Sequence, residues 1–326
     1  MNVWTVLLFI SSSLAFGKIN DRQNEIISKL KKVQGLTDNQ VSKLLNIFSK
    51  APHMGQGNPS VTKHPLTEDQ CHKKLKKLGV NHANPEFTKI CGQPFMAPLY
   101  NPNSQKLSEA KVCIDQFEFP NLPCDYPVTW VRADEAAAIC EAMDKRLCDA
   151  HEWEGACDGK LLPPDYQFEK IKGLSANAAQ KKLRRLHNNK EKNNKSWAYG
   201  SSFQKGICAQ ASFKHKDCNG GNYKKCGTNT YPAGAFPKCS SRLKVYDLHG
   251  NAAEHMNLPL TPEQMASHKS RQYGHTEMKG SWFIWDSFQA HPDWCRWRAP
   301  YWHGTTVAHP KSHHNYHLGF RCCRDR

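Results

Sequence analysis

The sequence is short of acid, of long apolar runs and of the short motifs that mark common enzyme chemistries. Asp and Glu total 29 against 45 Lys and Arg, giving a formal charge of +16. That imbalance fits acidic partners such as anionic polysaccharide or lipid headgroups, and it equally keeps a basic exported protein in solution. Beyond the opening segment no apolar stretch approaches the roughly 20 residues a spanning helix needs. There is no Gly-rich phosphate loop, no Gly-x-Ser-x-Gly elbow and no His-Glu-x-x-His zinc motif. No two Cys-x2-Cys pairs occur either, so the cysteines do not read as a zinc cluster.

What is present points to export. The chain opens "MNVWTVLLFISSSLAFGKIN", an apolar run from Val3 to Leu14 followed by small residues up to Gly17. This reads as a signal peptide over residues 1–17, with only the terminal amine supplying positive charge. The expected destination is therefore secreted or periplasmic, with no transmembrane segment in the mature chain, and nucleic acid becomes the least suitable anionic partner. Fourteen cysteines, an even number at long and irregular spacings, fit an oxidising compartment in which thiols pair.

The chain divides by texture. Residues 18–66 are polar and Lys-rich, with helices expected at "NEIISKLKKV" and "TDNQVSKLLNIFSKA". In the second, Val41, Leu44, Leu45 and Phe48 recur at i, i+3, i+4, i+7, one face of a helix. "PHMGQGNPSVTKHP" breaks the period and reads as a loop. Residues 67–93 form a small helical module that a local Cys71–Cys91 disulfide would staple. From residue 94 to 326 short strands, aromatics and most cysteines dominate. "KVCIDQFEFP" and "YPVTWV" read as strands and "RADEAAAICEAMDKRL" as a helix, while Asp149 and Glu152 form a capping box for another. A basic insertion, about 166–195, has seven Lys or Arg against one acid between Ala176 and Lys195. It is either a helix that grips an anionic surface or, the more ordinary outcome, a solvated loop.

A series of motifs then falls into order. "PVTWVRADEAAAICEAMDKRLCDAHEWEGAC", "WAYGSS", "LKVYDLHGNAAEH", "KGSWF", "CRWRAP" and the closing "HLGFRCC" resemble, in sequence, the elements of the formylglycine-generating enzyme, or sulfatase-modifying factor, family. The resemblance covers roughly residues 110–326. It implies an α+β fold, a C-type-lectin-like domain with little regular secondary structure, here disulfide-rich and preceded by a small helical region. It also implies copper-dependent oxidation of a substrate cysteine by two active-site thiols, since soft thiolates suit Cu(I). Counting forward from Gly280 puts the first of them on Ile284, counting back from Arg296 and Arg298 puts the pair on Gln289 and Trp294, and none is a cysteine. Cys295 lies one place further on, within "DWCRWRAP", beside Arg296 and Arg298. It is either an activated thiolate or half of a disulfide, and the disulfide is the reading favoured here. The family's structural bridges imply Cys140–Cys322 and Cys157–Cys295. Of the rest, Cys113–Cys124 would close a hairpin, Cys148 and Cys323 would pair, and Cys208, Cys218, Cys226 and Cys239 would form two more bridges. Connectivity is not readable from sequence alone.

The resemblance further implies calcium, held by the carboxylates of Asp247 and Glu254 and the backbone carbonyls of Gly250 and Ala252, hard oxygen donors on a turn. The rival reading has Glu254 capping that turn without metal. The tail carries His291, His303, His309, His313, His314 and His317, a set in which a copper or iron centre is conceivable, although "HPKSHHNYH" lacks a helical His-x3-His pair beside a carboxylate. A candidate binding groove comprises Trp282, Trp285, Trp294, Arg296, Trp297, Arg298, His303 and His309, aromatic and cationic side chains suited to sugars, acidic groups and peptides. The sequence thus favours a non-catalytic binding or structural module whose partners would be protein, peptidoglycan, anionic polysaccharide or an anionic membrane surface. The alternative is a metal-dependent oxidoreductase in which Cys295 acts.

Overall fold

The computed structural model describes residues 19–219, 221–270, 272–299 and 304–326. The expected signal peptide and His303 lie outside them. The N-terminal helices are α1 (Asp21–Gln34), α2 (Asp38–Lys50), α3 (Glu68–Lys77) and α4 (Pro85–Cys91). The first three open on the same device. Asn20, Thr37 and Thr67 each accept the backbone N–H of a Gln three residues on, and that Gln accepts back, satisfying two donors a helix start leaves open.

Ile26, Ile27 and Leu30 of α1 and Leu44 and Phe48 of α2 bury against Phe119, Val128, Val131 and Ile139, with Val41 and Leu45 alongside. The N-terminal helices therefore share the main core and are no appendage. Four further helices follow: α5 (Ala133–Ala142), α6 (Ala150–Asp158), α7 (Phe168–Ile171) and α8 (Ala176–Glu191). Alanines along α5 keep its surface low where it meets α2.

The strands are few and short: β1 (Met96–Leu99), β2 (Val112–Asp115), β3 (Arg146–Leu147), β4 (Ala253–Leu258), β5 (His275–Lys279), β6 (Leu318–Phe320) and β7 (Cys322–Asp325). One sheet runs β1-β2-β7-β3, all antiparallel, and the other β5-β4-β6, with β4 antiparallel to β5 and parallel to β6. "YPVTWV" is not a strand. Cys124 and Trp130 adopt left-handed φ of 64° and 59°, and Thr129 makes a single bridge to Gly55.

With so little ladder, cross-links carry much of the connectivity. All 14 cysteines are oxidised, in seven bridges. Cys140 joins Cys322, Cys157 joins Cys295, Cys148 joins Cys323, Cys208 joins Cys239 and Cys218 joins Cys226. Two expectations, Cys71–Cys91 and Cys113–Cys124, are corrected: Cys71 bonds Cys124, and Cys91 bonds Cys113. The reason lies in packing. Cys71 and Leu75 on the inner face of α3 bury against Cys124 and Ala235, while Cys91 ends α4 beside Met96 and Cys113 of the first sheet. The bridges thus sew residues 67–93 to the rest instead of stapling them to themselves.

Candidate functional site

Cys295 decides what redox chemistry is open to the molecule. Its sulfur is bonded to that of Cys157 at the C-terminal end of α6, and both residues are buried. His249 Nε2 lies 3.3 Å from Cys157 Sγ and 3.8 Å from Cys295 Sγ. The same nitrogen accepts the Ala198 N–H at 3.0 Å, so the ring proton belongs on Nδ1, which faces Asp293 Oδ2 at 3.5 Å. Asp293 is held in turn by Trp197 Nε1, Ser281 Oγ and Gln210 Nε2. Burial alone would push the Asp293 carboxyl up, but His249, Trp197 and Ser281 together hold it below its ordinary value.

The positions where a copper-binding thiol pair would be expected do not fit that ion. Ile284 packs among Trp282, Phe283 and Trp285, Gln289 is exposed, and Trp294 is buried. An oxidised cystine offers no thiolate, so no step through copper follows from this arrangement.

Of the residues proposed for a groove, Trp282, Trp285, Trp294, Arg296 and Arg298 are buried. Trp282, Trp285 and Trp297 are linked by His291, whose ring lies 4.8 Å from Trp285 and stacks on Trp297 at 4.7 Å. His317 stacks on the Trp282 ring at 4.5 Å. Trp294 is buried, Arg296 is paired with Asp158, and His309 is exposed. Trp297 and Arg298 line a cavity with α8. Among the described residues, side chains with metal-ligand spacing are Cys157–His249–Cys295, Cys148–Glu152–Cys323 and Glu154–Asp165–His187, and no tail histidine is among them.

The turn at residues 247–254 is buried, and a guanidinium pairs with its Glu254. Arg321 donates from Nη2 to Glu254 Oε1 at 2.7 Å and from Nε to Oε2 at 2.6 Å, and Trp153 Nε1 adds a third donor at 3.2 Å. Asp247 Oδ2 accepts the Gly234 N–H at 2.6 Å, while its Oδ1 has no hydrogen-bond partner among the described residues. Ala252 turns its N–H toward Glu118 Oε1, and Gly250 gives its N–H to Ser281 Oγ. Burial pushes the Asp247 carboxyl up to about 7; Gly234 and Arg321 resist, and Glu254 adds to the rise. Burial, with Asp247 next, lifts Glu118 well above the carboxylate range. Of the four expected calcium ligands, Glu254 is thus paired with the Arg321 guanidinium, while Asp247 keeps one carboxylate oxygen without a hydrogen-bond partner among the described residues.

The basic insertion is an ordered helix, not a solvated loop. Ala179, Leu183, Arg184, His187 and Glu191 of α8 face inward at helical spacing. His187 Nε2 donates to the Arg296 carbonyl at 2.6 Å and its Nδ1 sits 2.9 Å from Asp165. Asn188 bonds Arg298 in both directions, donating to its carbonyl and accepting its N–H, each at 2.9 Å. Arg298 is buried, with Nε and Nη2 on Glu154 and Nη2 also on Asp165. Burial opposes the charge on Arg298, yet Glu154 and Asp165 more than offset it and hold its pKa above the usual arginine value. His249, Asp293, Arg321 and Asn188 had no signal in residue type alone. The inward face of α8 was readable from its period.

These features define a mixed α and β domain with two small sheets, cross-linked by disulfides, whose cysteines are all engaged in one another. The chain belongs to the sulfatase-modifying factor enzyme 1-like domain family, whose model matches residues 60–326. Among solved structures it is similar to PvdO from Pseudomonas aeruginosa, with TM-score 0.33 and 11% identity over 71% of this chain and 91% of that one. The major tropism determinant U1 variant is similar at TM-score 0.31 and 11% identity, over 72% of this chain and 55% of that one. CarF is similar at TM-score 0.30 and 12% identity, over 71% and 96%. No curated protein sequence matches.

Proposed function

We propose that this chain is an exported, non-catalytic binding member of its family, a fold kept after the oxidative site was lost. One observation carries the reading: every cysteine is spent on a disulfide, and the expected thiol positions hold Ile284, Gln289 and Trp294. Support for export comes from the same bridges, which persist in oxidising compartments. Among the described residues no helix is long and apolar enough to cross a membrane. The excess of Lys and Arg favours an anionic partner. The test is direct. Thiol titration of the denatured, unreduced protein is expected to find no free thiol, and the purified protein with Cu(I) and oxygen is expected to leave a cysteine-bearing peptide unchanged. Turnover of that peptide would reinstate an enzyme.

A second reading, a metal-dependent oxidoreductase, is favoured by one observation: Cys157, His249 and Cys295 lie within ligand reach of one another. It needs the disulfide opened and stoichiometric copper or iron in the isolated protein, so metal analysis separates the two. For calcium, Arg321 supplies the positive charge beside Glu254. Addition of a chelator in calcium-free buffer is accordingly expected to leave the melting temperature unchanged.

A further inference from the structure

We infer that Asn194 is a modification site, the asparagine that receives an N-linked oligosaccharide during export. The inference rests on the export reading and narrows it to the secretory route through the endoplasmic reticulum. Residues 194–196 read Asn-Lys-Ser, the acceptor pattern for that modification, with its hydroxyl two places after the asparagine. The chain holds one other Asn-x-Ser, at 58–60, and Pro59 in its middle position disqualifies it.

The pattern alone does not separate a usable acceptor from a buried one; the fold does. Helix α8 ends at Glu191, and Lys192, Asn193, Asn194 and Lys195 follow it, all four exposed. Asn194 is held through its backbone, whose N–H meets the Glu191 carbonyl at 2.9 Å. Its side-chain amide makes no hydrogen bond among the described residues. Just beyond, the chain is pinned. Ser196 donates from Oγ to Asp158 at 2.7 Å, its carbonyl accepts the Cys295 N–H at 2.8 Å, and the Ala198 N–H meets His249. The acceptor amide thus stands in water on a turn anchored at both ends, where a bulky, polar addition displaces no packed group.

Asn58 is in the contrary state. Its Nδ2 donates to the Tyr223 carbonyl at 3.3 Å, and its Oδ1 accepts from Ser60 N and Oγ. A glycan there would sacrifice contacts to the rest of the fold. Attachment at Asn194 precedes folding, when the Ser196 hydroxyl is not yet committed to Asp158. The step is a transfer from a lipid-linked pyrophosphoryl oligosaccharide. A bond forms between the Asn194 amide nitrogen and the anomeric carbon, and the bond from that carbon to the pyrophosphate oxygen breaks. The lipid pyrophosphate leaves with the electron pair and the amide nitrogen gives up one proton, so nothing is oxidised or reduced.

The test expresses the full chain, with its own N-terminal segment, in cultured animal cells and follows it in medium and lysate. Protein in the medium is expected to migrate faster after peptide N-glycosidase, with an aspartate in place of Asn194 in the mapped peptide. Asn194→Gln is expected to abolish that shift completely, and Ser196→Thr, which keeps the hydroxyl, to retain it. Asn193→Gln and Asn58→Gln, the same change outside a usable acceptor, are expected to retain it too. Secreted protein that shows no shift, or a shift that survives Asn194→Gln, overturns the inference and leaves export standing. Unmodified protein confined to the cytosol overturns both. Thiol content and peptide turnover are independent of the glycan, so the non-catalytic assignment is tested separately.

Discussion

Arg321 shows how one side chain holds a buried charge cluster together. Its guanidinium bonds both oxygens of Glu254 and the backbone carbonyls of Asp115, Gln116 and Tyr246. Removing it would leave Glu254 without its cation in a dry interior, with Glu118 and Asp247 close by. Breaking a buried pair from one side costs about 3–5 kcal/mol, so Arg321→Met should lower unfolding free energy by that order in denaturant titrations. Asp247 yields a pH prediction. In the folded protein its carboxyl keeps its proton up to about pH 7, against an ordinary value of 3.8. The folded state therefore binds more protons than the unfolded one between those limits, and this group's contribution falls as pH rises through that window. Asp247→Asn keeps an oxygen for the Gly234 N–H and removes the ionisation. The variant should gain stability relative to wild type as pH is raised from 4 to 7, read as a growing difference in melting temperature; a constant difference would contradict the protonated assignment.

At the scale of elements, α8 depends on how it is tied down. Its solvent face is cationic and adds nothing to packing, so Leu183, His187 and Asn188 hold it. Asn188→Ala removes both bonds to Arg298 and leaves a buried backbone pair to find water, a loss on the order of 1–3 kcal/mol. Faster hydrogen exchange across residues 176–191 with unchanged thiol content is the expected signature. The first three N-terminal helices were legible because each carries its own signals: a capping residue, a Gln three positions on, and an apolar stripe. Residues 126–131 were misread because apolar, β-prone composition reports what a segment buries, not its backbone. Left-handed φ at Cys124 and Trp130 is imposed by contacts the local sequence does not contain. Likewise Asp149 and Glu152 looked like a simple capping box. Glu152 does accept the Asp149 N–H, but it also pairs with Arg146, and Asp149 turns its carboxylate to Ser267 and Asn257.

For the whole molecule, stability is spread over long closures. In the chain-entropy account a bridge helps more as it closes a longer loop. Cys140–Cys322 spans 182 residues and Cys218–Cys226 only 8. That account assigns about 5 kcal/mol to the first and about 2.5 kcal/mol to the second. Double Ser substitutions should accordingly lower the denaturation midpoint more for the first pair than for the second, provided neither leaves an unpaired thiol. Equal losses would show that local packing, not chain entropy, sets the contribution of these bridges.

By itself the sequence pointed to the family, through motifs in order, and it holds Ile284, Gln289 and Trp294 where the resemblance places the thiol pair, since that is a matter of which residue types are present. It also determined the short helices with caps, because those interactions act over three or four residues. Only the tertiary structure decided which sulfurs meet, that Arg321 faces Glu254, and that α8 packs on Arg298. Each of those joins residues dozens to hundreds of positions apart, and such proximity follows from packing of the whole core, not from any local preference.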